Sequence, residues 1–387
     1  MALVAPWNGV AVRGLQPVDA ALALAMALTG IDLLTRNVSV PRPMRWMSVG
    51  AAGIALTTLI HTCLAGSGTE LEAGAKWLAS AFVFPMMSLL ASRGSPELPR
   101  HLAAAWTLGV ATSAAVAVSD FYGLSRVNER LVGYVNSSGR QGGLTSQPNN
   151  VGLACAMALP FVILLYQRHR AWLLAGVVLL GGEIASGSRA GQVAFVVAFA
   201  ATLVGVVGVT PRGRRSAVKA CMAVTGAVAI TWSQRSVRDQ AIPFLRVFAS
   251  GESVDLSNSG RIGLARGALE TFASSPFVGN GFEQLKHGHS VPLQLAATGG
   301  VLLITSFTFY SFGAIVRPLR FWSEQSSLTR AAIIGHSCWL AAGTISNAIS
   351  DRYLYIPITI VAVTYTSPFF RRQDRDIIVN RESRLTP

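Results

Sequence analysis

The chain has 387 residues, 51% of them hydrophobic and only 13% charged, with a mean hydropathy of +0.46, a balance too apolar for an ordinary soluble domain of this length. Its net charge of +14 comes almost wholly from arginine, because Lys76, Lys219 and Lys286 are the only lysines. Most of that charge sits in short connections between apolar runs, where it sets membrane topology, so nucleic acid is not implied as a partner.

Apolar runs of about 17 to 22 residues recur along the chain, each long enough to cross a hydrocarbon core about 30 Å thick at about 1.5 Å per helical residue. They predict spans near 18–34, 46–65, 74–91, 101–119, 150–166, 171–186, 190–209, 217–233, 291–314, 329–347 and 353–369. The expected fold is therefore all-α, a single polytopic transmembrane bundle of residues 1–387 with 11 to 12 spans, the twelfth being a short or re-entrant element within residues 1–16. The first run ends in Thr35-Arg36 without a small-residue cleavage pattern, so it is expected to stay as a spanning helix.

Connections rich in arginine fall on alternate sides of these spans: Arg36, Arg42 and Arg45; Arg93 and Arg100; Arg168 and Arg170; Arg212, Arg214 and Arg215; Arg317, Arg320 and Arg330. The positive-inside rule puts them in the cytoplasm together with a tail at 370–387. Two long connections, 120–149 and 234–290, are then outer, and the second can form amphipathic helices. Chemistry is expected there.

Four segments on that face carry a polar group close to a helix start. Arg140 leads through Pro148-Asn149-Asn150 into the fifth span, with asparagine as the expected cap. Ser186-Gly187-Ser188-Arg189 makes the hairpin before the seventh, putting Arg189 in its first turn. Asn258-Ser259-Gly260-Arg261 starts a segment with Ile262, Ala265, Leu269 and Phe272 at helical spacing. His287-Gly288-His289-Ser290 opens the ninth span.

A helix start already carries partial positive charge and unpaired N–H groups, so arginine there is unfavourable unless an anion joins it. Backbone donors and the planar guanidinium fork both suit phosphate oxygens, and several such groups at a membrane surface suit a diphosphate on a lipid tail. Any one arginine at a membrane interface more often snorkels or binds lipid headgroups than a substrate. The repeated association with helix starts singles out Arg189 and Arg261, whereas Arg266 has Glu270 four residues on and invites a plain salt bridge. Arg126, Arg130, Arg235, Arg238 and Arg246 read as solvated loop charge.

Among the six histidines, His101 and His169 lie at the cytoplasmic boundary, and His61 and His336 lie within spans, where catalysis and packing are equal readings. His289 can reach a bound diphosphate and has an imidazole suited to accept a hydroxyl proton near neutral pH, with His287 as a neighbouring alternative. Glu70-Leu-Glu72 offers too few oxygens for a hard cation, so no metal is expected. Cys63, Cys155, Cys221 and Cys338 lie in apolar runs without metal-ligand spacing.

Together these segments resemble the O-antigen ligase and polymerase superfamily of integral-membrane glycosyltransferases. The likeness rests on Arg140 through Asn149, on Ser186-Gly187-Ser188-Arg189, on Arg261, and on Pro276-Phe277-Val278-Gly279-Asn280-Gly281-Phe282 leading to His289-Ser290 and Gly299-Gly300. The resemblance implies a cofactor-free O-antigen ligase in the bacterial inner membrane, its active site facing the periplasm. Its donor would be undecaprenyl-diphosphate-linked O-antigen, its acceptor lipid A-core, and its surroundings membrane lipids. Arg189 and Arg261 would hold the diphosphate, assisted by Arg140 or Arg266, with His289 catalytic and Asn149 and His287 in support. Either Arg261 or Arg266 can be the matching loop arginine, since Arg261 has leucine three residues on rather than four. Two other readings share parts of this pattern: an O-antigen polymerase or protein O-oligosaccharyltransferase, and a transporter of an anionic lipid or solute. The transporter reading lacks an internal hydropathy repeat and binding groups on both faces.

Overall fold

A computed structural model describes residues 1–11, 16–24, 42–65, 68–132, 139–207, 252–286, 290–345, 349 and 351–366. Among these residues all regular structure is helical. The principal helices are α1 (Arg42–Ala65), α2 (Gly68–Leu78), α3 (Phe84–Gly94), α4 (Leu98–Phe121), α5 (Pro148–Tyr166), α6 (Trp172–Ser186), α7 (Arg189–Thr202), α8 (Glu252–Ser274), α9 (Val291–Arg320), α10 (Ser327–Gly343) and α11 (Ile356–Thr366). Six described helical stretches are long and apolar enough to cross a membrane: Arg45–Leu64, Gly68–Gly94, Leu98–Phe121, Pro148–Tyr166, Arg189–Val206 and Val291–Arg320. The chain is a multi-pass membrane protein. The expected span at 18–34 is described only to residue 24, helical from residue 17, while 217–233 and the tail at 370–387 lie outside the described residues.

The stretch Gly68–Gly94 is one helix with a π-helical segment, Ala79–Val83, in its middle. Pro85 explains the irregularity, because it has no N–H to give to a carbonyl one turn earlier. The Ala81 carbonyl is instead satisfied by the Tyr310 hydroxyl, which donates to it at 2.7 Å. Tyr310 thereby ties this helix to α9.

Helix contacts use small residues, as expected where lipid gives no hydrophobic drive for helices to associate. A Cβ on Gly53 of α1 would lie 1.7 Å from the Ser306 Oγ of α9, and one on Gly182 of α6 would lie 2.5 Å from the Ala114 Cβ of α4. Trp77, Phe307, Trp339 and Tyr355 form an aromatic core, with Trp339 edge-on to Tyr355 at 5.4 Å between ring centres and to Phe307 at 5.7 Å. The Trp77 indole donates to the Tyr355 hydroxyl, which donates to the Ile349 carbonyl at 2.6 Å. His336 is fully buried here, its ring 5.3 Å from that of Trp339.

One helix is broken on purpose by sequence. Gly300 in α9 has φ 59° and ψ −152°, a conformation essentially confined to glycine, and it divides the helix after about two and a half turns. The break would orphan backbone N–H and C=O groups on both its sides inside an apolar environment. The strap at 276–282 satisfies four of them: Val301 N–H donates to Pro276 O at 2.8 Å and Leu302 N–H to Phe277 O at 3.1 Å, while Asn280 and Gly281 donate to Ala297 O and Thr298 O, both at 2.9 Å. His61 Nε2 meets Val278 O at 2.7 Å, and buried Glu70 accepts from Phe282 N–H at 2.7 Å. Both residues are thus structural anchors of the strap, and Glu72 pairs with Lys76.

Candidate functional site

Helix direction and cross-contacts gather one set of connections at a single end of the bundle. Arg140 Nε donates to the Ser186 carbonyl at 2.8 Å, Ser146 N–H to Asn8 Oδ1 at 3.0 Å, and Asn150 Nδ2 to Asp351 Oδ2 at 2.9 Å. The basic connections at 93–100, 166–172 and 317–330 lie at the other end, where α3, α5 and α9 finish.

Arg189 begins α7 as the sequence predicts. Gly187, at φ 54°, ends α6 in the left-handed region open to glycine, and Ser188 caps α7 by accepting from Gly191 N–H at 3.1 Å. The guanidinium is half-buried at this helix start.

Arg261 reaches the same place by another route. The helix expected to begin near Asn258 begins at Glu252, so Arg261 stands within α8, about two and a half turns from its start. Gly260 costs a helix only about 1 kcal/mol and does not end it. The helix-start argument therefore fails for Arg261, and proximity replaces it. Burial first and the charge of Arg189 second hold the Arg261 guanidinium below its ordinary range. The charge of Arg189 thus bears on Arg261 from a distant part of the chain, and neither makes an ion pair among the described residues.

Arg266 is exposed one turn further along α8 and makes no ion pair with Glu270, contrary to the helical bridge that spacing suggests. Of the expected apolar stripe, Ile262 is 70% and Leu269 53% exposed, while Ala265 and Phe272 are half-buried. Arg126 and Arg130 are exposed, as expected of loop charge.

Arg140 is half-buried and folds across the α6–α7 hairpin, its side chain against Gly187. Besides the Ser186 carbonyl it donates to Asn149 Oδ1. Asn149 is consequently not the cap of α5. Pro148 occupies the first turn and shifts the cap to Gln147, which frees the Asn149 amide to orient Arg140. Asn150 instead joins a buried network, donating to Ser146 Oγ at 3.1 Å and to Asp351, whose other oxygen accepts from Asn8 at 2.5 Å. Burial pushes the Asp351 carboxyl up to about 6, against the Asn8 hydrogen bond and the Arg352 charge, which pull it down.

Sequence reasoning missed Glu183. It lies in the last turn of α6, is 3% exposed, and neither carboxylate oxygen has a hydrogen-bond partner. A Cβ on Gly191 would come within 2.6 Å of its Oε1, so α7 can pass over it only because Gly191 has no side chain. The compensating charge that acts on it is that of Arg140. An ionisable residue inside an apolar span was the available signal, since such groups are retained at a cost.

His287 and His289 lie outside the described residues, as do Arg235, Arg238 and Arg246. The description resumes at Ser290, whose extended backbone caps α9, with Pro292 in the first turn and Gln294 N–H donating to Ser290 O at 2.9 Å. The histidine pair therefore leads directly into the short half-helix ahead of the Gly300 break.

No protein-family model matches the chain, and no characterised protein matches it at a significant level.

Proposed function

We propose that the protein is an O-antigen ligase of the bacterial inner membrane, transferring a glycan from undecaprenyl diphosphate to a sugar hydroxyl of lipid A-core at the periplasmic face. The observation that carries the reading is the juxtaposition of Arg189 and Arg261, two partly buried cations whose mutual repulsion an anion would relieve. A diphosphate whose lipid tail stays in the bilayer would supply that anion.

In the proposed reaction the acceptor hydroxyl oxygen attacks the anomeric carbon from the side opposite the diphosphate, and His289 takes the hydroxyl proton. The new C–O bond forms as the bond to the diphosphate oxygen breaks, and the lipid diphosphate leaves with the electron pair. The anomeric centre inverts. Arg189 and Arg261, with Arg140 or Arg266 beside them, stabilise the charge growing on the leaving group, the kind of electrostatic term that usually dominates. Asn149 supports the site by orienting Arg140. No metal takes part in this scheme.

The test is reconstitution of purified protein with lipid-linked glycan and lipid A-core. A joined product supports the ligase; elongation of the lipid-linked glycan alone makes the protein a polymerase; glycan joined to a polypeptide makes it an oligosaccharyltransferase. Transport of the lipid without transfer removes the enzyme reading altogether.

A further inference from the structure

A lateral groove of about 410 Å³ runs between α7 and α10, within the usual range for ligand sites of about 300–1,000 Å³. Small side chains create it: Ala190, Ala194 and Ala201 on one wall face Ala341 and Ala342 on the other. The two helices touch at its floor, where Cys338 Sγ lies 3.9 Å from the Ala194 carbonyl. Trp322 closes the far end, packed so tightly against Gly205 that a Cβ there would lie 2.7 Å from the indole. At the near end Ala190 directly follows Arg189, the cation whose charge bears on Arg261.

A groove with apolar walls, ending at the residue that follows the half-buried Arg189, matches an amphiphile with an anionic head. We infer that this groove seats the hydrocarbon tail of the lipid diphosphate donor, directing the head onto Arg189 and Arg261. The inference rests on the proposed donor chemistry and adds to it a tail-binding surface between two named helices. Walls on both sides hold the tail at one place along the bundle, which a bulk lipid contact does not.

The experiment compares farnesyl diphosphate with inorganic pyrophosphate as ligands of the purified full-length protein. Wild type should bind farnesyl diphosphate about tenfold or more tighter than pyrophosphate, because the tail buries apolar surface. Val197→Trp and Ile345→Trp fill the groove from its two exposed walls, where the side chains are 53% exposed in each case and folding is not at risk. Both should abolish the gain from the tail while leaving pyrophosphate affinity unchanged. Val196→Trp, on the same helix but outside the groove and 67% exposed, should keep the gain. Equal binding of the two probes to wild type, as expected if bulk phospholipid fills the groove, overturns the inference. So does a tail gain that survives both groove variants, and that result leaves the diphosphate reading standing. If Arg189→Ala affects neither probe, the diphosphate reading falls first and takes the groove with it.

Discussion

Alanine at Gly300 should unlock the broken helix. Its Cβ would lie 2.4 Å from Pro276 O and 2.6 Å from Phe277 C, both backbone atoms that no rotamer change can move. The left-handed backbone itself costs an alanine about 1–3 kcal/mol. Displacing the strap would also weaken the hydrogen bonds from Val301 and Leu302, each worth about 1 kcal/mol net. The sum is about 3–5 kcal/mol, large against a typical folding stability of about 5–15 kcal/mol. Thermal unfolding of the detergent-solubilised protein measures it, with Gly94→Ala as a control, because nothing lies within 4 Å of a Cβ there. If Gly300→Ala and Gly94→Ala melt alike, the strap does not hold the break, and the account of α9 is wrong.

Arg189→Lys and Arg261→Lys should each lose most transfer activity despite keeping the charge, since lysine cannot make the bidentate contact; near-normal turnover in both would refute the diphosphate assignment. His289→Ala should retain donor affinity and lose about 10² to 10⁴ in single-turnover rate, whereas lost affinity with an unchanged rate at saturating donor would reassign His289 to binding. Glu183→Gln should fold and insert yet turn over several-fold more slowly, because an amide replaces the buried acid group that Arg140 acts on; unaltered kinetics would make Glu183 a packing group. Asp351, with its carboxyl raised to about 6 from the ordinary 3.8, binds more protons folded than unfolded between those values. Its contribution to stability is therefore complete below about 3.8 and lost as pH rises through about 6, and Asp351→Asn should flatten that part of the melting profile. A wild-type profile that rises with pH across the window, with the same slope in the variant, would contradict it.

What the sequence revealed depended on whether the governing interactions were local. Arg189 was legible because Gly187, Ser188 and Gly191 end one helix and cap the next within five residues. Arg261 was legible in chemistry but not in position, since Asn258-Ser259-Gly260 reads as a helix start and the helix continues through it. The role of Asn149 turned on Pro148 moving the cap by two residues, and on an arginine nine residues earlier needing an acceptor. The strap was visible as a glycine-rich run, yet its purpose was not, because His61 and Glu70 stand more than 200 residues away and no periodicity links them to it. Glu183 was hidden by its surroundings: the glycines that make room for it come from α5 and α7, whose approach only the fold determines.

The break in α9 also constrains how the protein is made. A helix interrupted within the bilayer cannot settle while its orphaned amides and carbonyls lack partners. Here the partners are synthesised first. His61 and Glu70 precede the strap, and the strap precedes α9, so each layer of the clasp waits in place before the segment it must complete leaves the ribosome. Moving the strap to the C-terminal side of α9 by circular permutation would keep every native contact and reverse that order, leaving the half-helices exposed during insertion. Chain order, and not only the final set of contacts, is thus part of how this membrane helix tolerates being broken.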